Sequence, residues 1–194
     1  MILKIFIVFI FLTFNIHVLV SVNIKGVVSS DGDKLENAVV YIEKIEGKVF
    51  TPPDKPAELD QIDLTFIPHI LPILIGSTVV FPNNDVTRHN VFSPNNQKKI
   101  DLGTYSPGTS KSVVFDKAGI FPMLCHVHPE MSAFIIVLET PYFAVTSETG
   151  DYIIKDVPPG RYKLVAWHET TQKDIKQIDV SSNQNLTINF DLEE

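Results

Sequence analysis

The sequence contains a single cysteine in 194 residues, a single tryptophan and no excess of basic side chains. One thiol excludes a disulfide framework within the chain. With 16 Lys and Arg against 23 Asp and Glu, the formal charge is −7. A nucleic-acid binder needs a basic face to neutralise phosphates, so that class is excluded. Also missing are internal repeats, low-complexity tracts and a sustained 3.6-residue apolar period. Helix is therefore expected to amount to a turn or two. No Ser–His–Asp arrangement, phosphate-cradling glycine loop or paired-carboxylate site stands out. The 44% apolar and 20% charged composition is ordinary for a globular chain and excludes a disordered or fibrous one. A chain of this length suits one large domain or two small ones.

The first feature present is an apolar N-terminus. Lys4 precedes the run Ile5–Phe14, which Asn15 and His17 then interrupt before Val18-Leu19-Val20-Ser21. A charged start, a short apolar middle and a small residue near a cut are the layout of a secretory signal, so residues 1–21 are expected to be removed near Ser21. The alternative is an uncleaved anchor, but a bilayer span needs about 20 apolar residues, and this run is shorter and interrupted. The mature chain is expected to be exported, periplasmic or extracellular, one unit more negative, and without a stable membrane span.

From Val22 onward, short Val-, Ile- and Phe-rich segments alternate with turns. Strands are expected at 22–29, 38–45, 64–66, 70–75, 78–81, 89–92, 112–115, 119–125 and 133–138. After Thr140-Pro141 they are expected at 143–146, 152–154, 162–168, 175–180 and 186–192. Thr51-Pro52-Pro53-Asp54-Lys55-Pro56 is a linker that cannot sit inside a sheet. Many short strands at regular spacing indicate an all-β sandwich or barrel.

One segment carries chemistry. Cys125-His126-Val127-His128-Pro129-Glu130-Met131 sets a thiol, an imidazole and a thioether at i, i+3 and i+6, with His89 lying 36 residues upstream. Two imidazoles, one thiolate and a weak thioether are the ligand set of a mononuclear electron-transfer copper site. Thiolate stabilises Cu(I), imidazole suits both oxidation states, and a long axial Met tunes the potential. Taken singly, a buried Cys is most often a small hydrophobe, and a lone His or Met is usually structural. It is the joint spacing that points to metal. Zinc fits less well because Met is not among its usual ligands, and Glu130 as axial ligand would be a hard donor for a soft ion.

His89-Asn90 followed by Cys125-x-x-His128-x-x-Met131 resembles the cupredoxins, including plastocyanin, pseudoazurin and especially amicyanin, over roughly Leu59–Leu138. Phe66-Ile67-Pro68 and Gly76-Ser77-Thr78-Val79-Val80-Phe81-Pro82-Asn83 look like early strands of that fold. The resemblance implies a Greek-key β-sandwich binding one type 1 copper through His89, Cys125, His128 and Met131. It also implies that Asn90 links the two ligand-bearing loops near the sulfur, and that His128 reaches the surface as the electron port. The flanks carry a second resemblance. Asn23-Ile24-Lys25-Gly26-Val27-Val28, Leu35–Tyr41, Thr146–Tyr152 and Val157-Pro158-Pro159-Gly160-Arg161-Tyr162 look like a carboxypeptidase regulatory-like, transthyretin-like β-sandwich. Residues 22–50 and 141–194 would then form one discontinuous domain around a cupredoxin domain at 51–140. A competing arrangement gives Ala38–Ile45 to the copper domain.

The function implied is one-electron transfer between redox proteins, with a cytochrome or a dehydrogenase-like protein as donor and acceptor, and not catalysis. A copper carrier or sensor without physiological electron transfer is the alternative, and a structural β protein with a vestigial site is a third reading. Several residues are expected to stand outside the metal site. His126 would be beside the ligands or at the surface, His69 solvated or at the core edge, and Trp167-His168-Glu169 a strand-end cluster rather than a docking or second metal site. Lys98-Lys99 is read as a solvated turn, and Asn185-Leu186-Thr187 matches a glycosylation acceptor.

Overall fold

A computed structural model describes residues 21–95, 97–181 and 184–193, all as strands, turns and loops, with no helix among them. The predicted signal segment falls on residues 1–20, outside the described residues, apart from Ser21. Numbered along the chain, the strands are β1 (Val22–Ser30), β2 (Asp33–Lys34), β3 (Val39–Ile42), β4 (Ala57–Glu58), β5 (Asp60–Ile62), β6 (Thr65–Ile67) and β7 (Ile70–Leu74). Next come β8 (Thr78–Pro82), β9 (His89–Ser93), β10 (Ile100–Tyr105), β11 (Ser110–Val114), β12 (Gly119–Leu124) and β13 (Ser132–Leu138). The last six are β14 (Phe143–Val145), β15 (Asp151–Val157), β16 (Gly160–Trp167), β17 (Asp174–Val180), β18 (Leu186–Thr187) and β19 (Phe190–Asp191).

These strands build two sandwiches, in line with the all-β reading of the sequence. In the inner one, a sheet ordered β10-β9-β12-β13-β7 faces a sheet ordered β11-β8-β4, with the β5-β6 hairpin beside them. Its core holds Phe81, Val91, Phe115, Phe121, Met123 and Ile135. In the outer one, β15-β1-β18 with β2 and β19 faces β14-β3-β16-β17 over Ile24, Val40, Ile42, Tyr152, Leu164 and Phe190.

The unbroken apolar run of β13 has a cause beyond β propensity. Ala133, Ile135 and Val137 point into the inner core. Ile136 and Leu138 point the other way, into a third cluster with Ile70 and with Val39 of the outer sandwich. A strand buried on both faces reads as continuous hydrophobicity rather than alternation. The two sandwiches therefore share an apolar interface, extended by Phe134, Phe143 and Trp167.

Several expectations differ in detail. Asp63 and Leu64 have φ of 49° and 59°. They form the turn of the β5-β6 hairpin, so the strand expected at 64 begins at Thr65. The C-terminal strand expected over 186–192 is two short pieces, β18 and β19, each pairing in parallel with β1. β10 went unforeseen, because its Asp101, Gly103 and Thr104 are exposed and leave little apolar pattern.

Candidate metal centre

The predicted residues converge at one end of the inner sandwich. His89 opens β9, Cys125 follows the last residue of β12, and the loop returns to β13 immediately after Met131. β9 and β12 pair antiparallel through Leu124 and Phe92, which brings the two chain positions together. His89 Nδ1 lies 3.0 Å from His128 Nδ1 and 4.0 Å from Cys125 Sγ. These three side chains are the one group of potential metal ligands of this size found among the described residues. His89 is fully buried, Cys125 and Met131 are 3% and 1% exposed, and His128 is half-buried. Met131 belongs to the same core cluster as Cys125, and its N–H closes the loop onto His128 O at 3.0 Å. Glu130, the hard alternative, is exposed.

Hydrogen bonding explains how the donors are aimed. Cys125 Sγ accepts the backbone N–H groups of Asn90 and His128, each at 3.5 Å. Both bonds tie the sulfur to backbone on either side of the site, one from β9 and one from its own loop. The Asn90 side chain joins the two segments, accepting from His126 N at 3.4 Å and donating to Asp101 Oδ1 at 3.0 Å. That bond and the Gly103 N–H, the larger cause, hold the Asp101 carboxyl below its ordinary range.

One important partner was not anticipated. His89 Nε2 faces Asp85 Oδ2 at 2.9 Å, with both side chains out of water. A carboxylate accepts there, so the ring carries its hydrogen on Nε2 and turns the bare lone pair of Nδ1 towards Cys125 and His128. A carboxylate behind a histidine fixes tautomer and ring orientation at metal sites. Asp85 also accepts from Leu64 N at 2.8 Å and from Val86 N. The Leu64 N–H does most to hold the carboxyl at about 2 against an ordinary 3.8; His89 and Val86 assist, and burial opposes. The available signal was an acid four residues before a candidate ligand within Asn83-Asn84-Asp85. Beneath the site, Tyr105 Oη accepts from Gln61 Nε2 at 2.6 Å and donates to Phe81 O at 3.0 Å.

Once neither Nδ1 carries a hydrogen, two imidazole nitrogens and a thiol already bonded by backbone amides fit a soft metal ion.

The remaining candidates lie elsewhere. His126 is exposed and stacks on Phe92 with centroids 3.6 Å apart. His69 bonds Ser132 O and Glu169, and His168 bonds Thr170 Oγ1. Trp167 packs edge-on against Phe134. Lys98 pairs with Asp116, so it is not simply solvated. Asn185 uses its Oδ1 to accept from Asn23 N.

No protein-family model matches the chain, and no curated protein matches it significantly. Among solved structures, it is similar to a purple cupredoxin from Nitrosopumilus maritimus at 22% identity and a TM-score of 0.38, covering 42% of this chain and 98% of that one. Amicyanin from Paracoccus versutus matches at 21% identity and a TM-score of 0.40, covering 46% of this chain and 95% of that one. A copper-containing nitrite reductase from Thermus scotoductus matches at 25% identity and a TM-score of 0.43, covering 51% of this chain. Only a quarter of that enzyme's length is spanned.

Proposed function

We propose that this chain is an exported cupredoxin-type electron carrier that holds one type 1 copper through His89, Cys125, His128 and Met131. The observation that carries the reading is the convergence of both Nδ1 atoms on a sulfur that receives two backbone N–H groups. Copper held there would supply a one-electron Cu(I)/Cu(II) couple. The protein's own groups do the rest. Asp85 holds the His89 ring, Asn90 ties the ligand loop to β9, and the core around Met131 keeps water from that side. Preset donor positions suit both oxidation states, so little rearrangement accompanies each electron.

His128, the most exposed of the ligands, is the natural port. Val127 beside it and Val86 before His89 are 43% and 96% exposed and offer apolar contact to a redox partner. The acidic chain favours a partner with a basic docking surface, whose binding weakens as salt rises. A cytochrome or a dehydrogenase-like protein fits that description. We assign residues 51–140 to the copper domain, and 22–50 with 141–194 to a carboxypeptidase regulatory-like sandwich.

The test is visible absorption and EPR of the chain titrated with Cu(II), alongside Cys125→Ser. An intense thiolate-to-copper band at one copper per chain, lost in the variant, is expected. An unchanged spectrum in Cys125→Ser would sink the reading. Rapid copper loss to a chelator, without fast electron exchange with a cytochrome, would favour a metal-delivery role.

A further inference from the structure

A side-chain bridge links the sandwich flanking the copper domain to the start of β13, directly after the metal loop. His69 sits between β6 and β7 of the inner sandwich. Its Nδ1 lies 3.1 Å from the carbonyl of Ser132, the residue directly after Met131. Its Nε2 lies 2.6 Å from Glu169 Oε1, just past β16 of the outer sandwich. A carbonyl and a carboxylate thus face the two ring nitrogens, one on each side of the imidazole. A parallel apolar contact runs beside it. The His69 ring stands edge-on to Phe134 at 5.8 Å, and Phe134 stands against Trp167 at 5.5 Å. Both links join the first residues of β13 to residues 167–169. The His69 and Glu169 side chains are 32% and 28% exposed, which leaves the pair partly shielded from water.

We propose that His69 and Glu169 are positioning residues for the metal loop, and that the outer sandwich braces the backbone carrying Met131 through them. The proposal rests on the electron-carrier reading above. A thioether bonds copper weakly and at long range. The backbone, not the bond, would therefore decide how closely the Met131 sulfur could approach a bound copper. Whatever holds Ser132 would set that approach, and with it the balance between the two thiolate-to-copper bands of the loaded site. In this view the flanking sandwich tunes the site.

The test compares the full-length parent with Glu169→Gln and His69→Gln, using Glu36→Gln as an exposed control. With Cu(II) bound, both bridge variants are expected to keep one copper per chain, with a changed ratio of the two charge-transfer bands and altered EPR rhombicity. In the metal-free proteins, the amides of Ser132 to Phe134 are expected to exchange about tenfold faster, as loss of a charge-assisted hydrogen bond implies. Amides of β1 and β15 should not change. Spectra and exchange identical to the parent, or a lower melting temperature with neither altered, would overturn the brace. A parent chain without any thiolate band would refute the electron-carrier reading, whereas unchanged metal-free exchange refutes the brace, so the two failures are distinguishable. Glu169→Gln is nearly isosteric and keeps the comparison valid if His69→Gln folds poorly.

Discussion

Replacing Asp85 by Asn removes a buried negative charge while keeping the shape of the side chain. In the parent, that carboxylate accepts from Leu64 N, Val86 N and His89 Nε2, and its side chain is 3% exposed. Its fall from 3.8 to about 2 amounts to about 2.5 kcal/mol of stability at about 1.4 kcal/mol per pH unit. Because the folded value is the lower one, this stability is fully present above the unfolded value. It is lost as pH falls through the folded one, from about 4 to about 2. At pH 3 the unfolded chain has bound most of its proton and the folded chain has not, so about 1 kcal/mol is gone. Urea denaturation of the metal-free parent and D85N should therefore differ by about 2–3 kcal/mol at pH 7 and by about 1–2 kcal/mol at pH 3. Copper affinity, measured by chelator competition, should drop about 10- to 100-fold as the His89 ring loses its orienting charge. A stability gap that stays constant between the two pH values would refute the electrostatic account. Equal copper affinity would refute the orienting role.

Three further outcomes are expected. Burial is the main force pushing Tyr105 up to about 12; the Cys125 and Asp60 charges add to it, and the Gln61 bond opposes. Stability is then full below pH 10 and falls as pH rises towards 12, which tyrosinate absorbance followed with circular dichroism would show. Phe121→Ala empties a fully buried position packed edge-on against Phe115 at 5.3 Å, and denaturation should show a loss of about 3–5 kcal/mol. At Gly26 a Cβ would come within 1.7 Å of Ile188 O, so Gly26→Ala should detach β18 and β19 and expose the C-terminal segment to proteases. Equal protease resistance would show that the approach is not tight.

Much of the molecule could be read along the chain. Short apolar runs punctuated by Gly, Pro, Asn and Asp implied an all-β fold. The Cys125–Met131 spacing singled out the residues that come together with His89, because a loop between two strands fixes side chains through local geometry. Misreadings cluster where local pattern and tertiary need part company. Leu64 looked like the start of a strand and is a turn residue, since the hairpin tolerates an apolar side chain at positive φ. β10 stayed hidden because one edge of its sheet faces water and does not demand apolar residues.

By itself, then, the sequence determined the strand content and the chemistry of the donors, both of which depend on residue type at short spacing. The tertiary structure alone decided that Asp85 stands behind His89, that Asn90 joins two loops, and that Glu169 reaches His69 across 100 residues. Those contacts depend on strand order and register, which bring distant residues together without leaving a periodic trace in either segment.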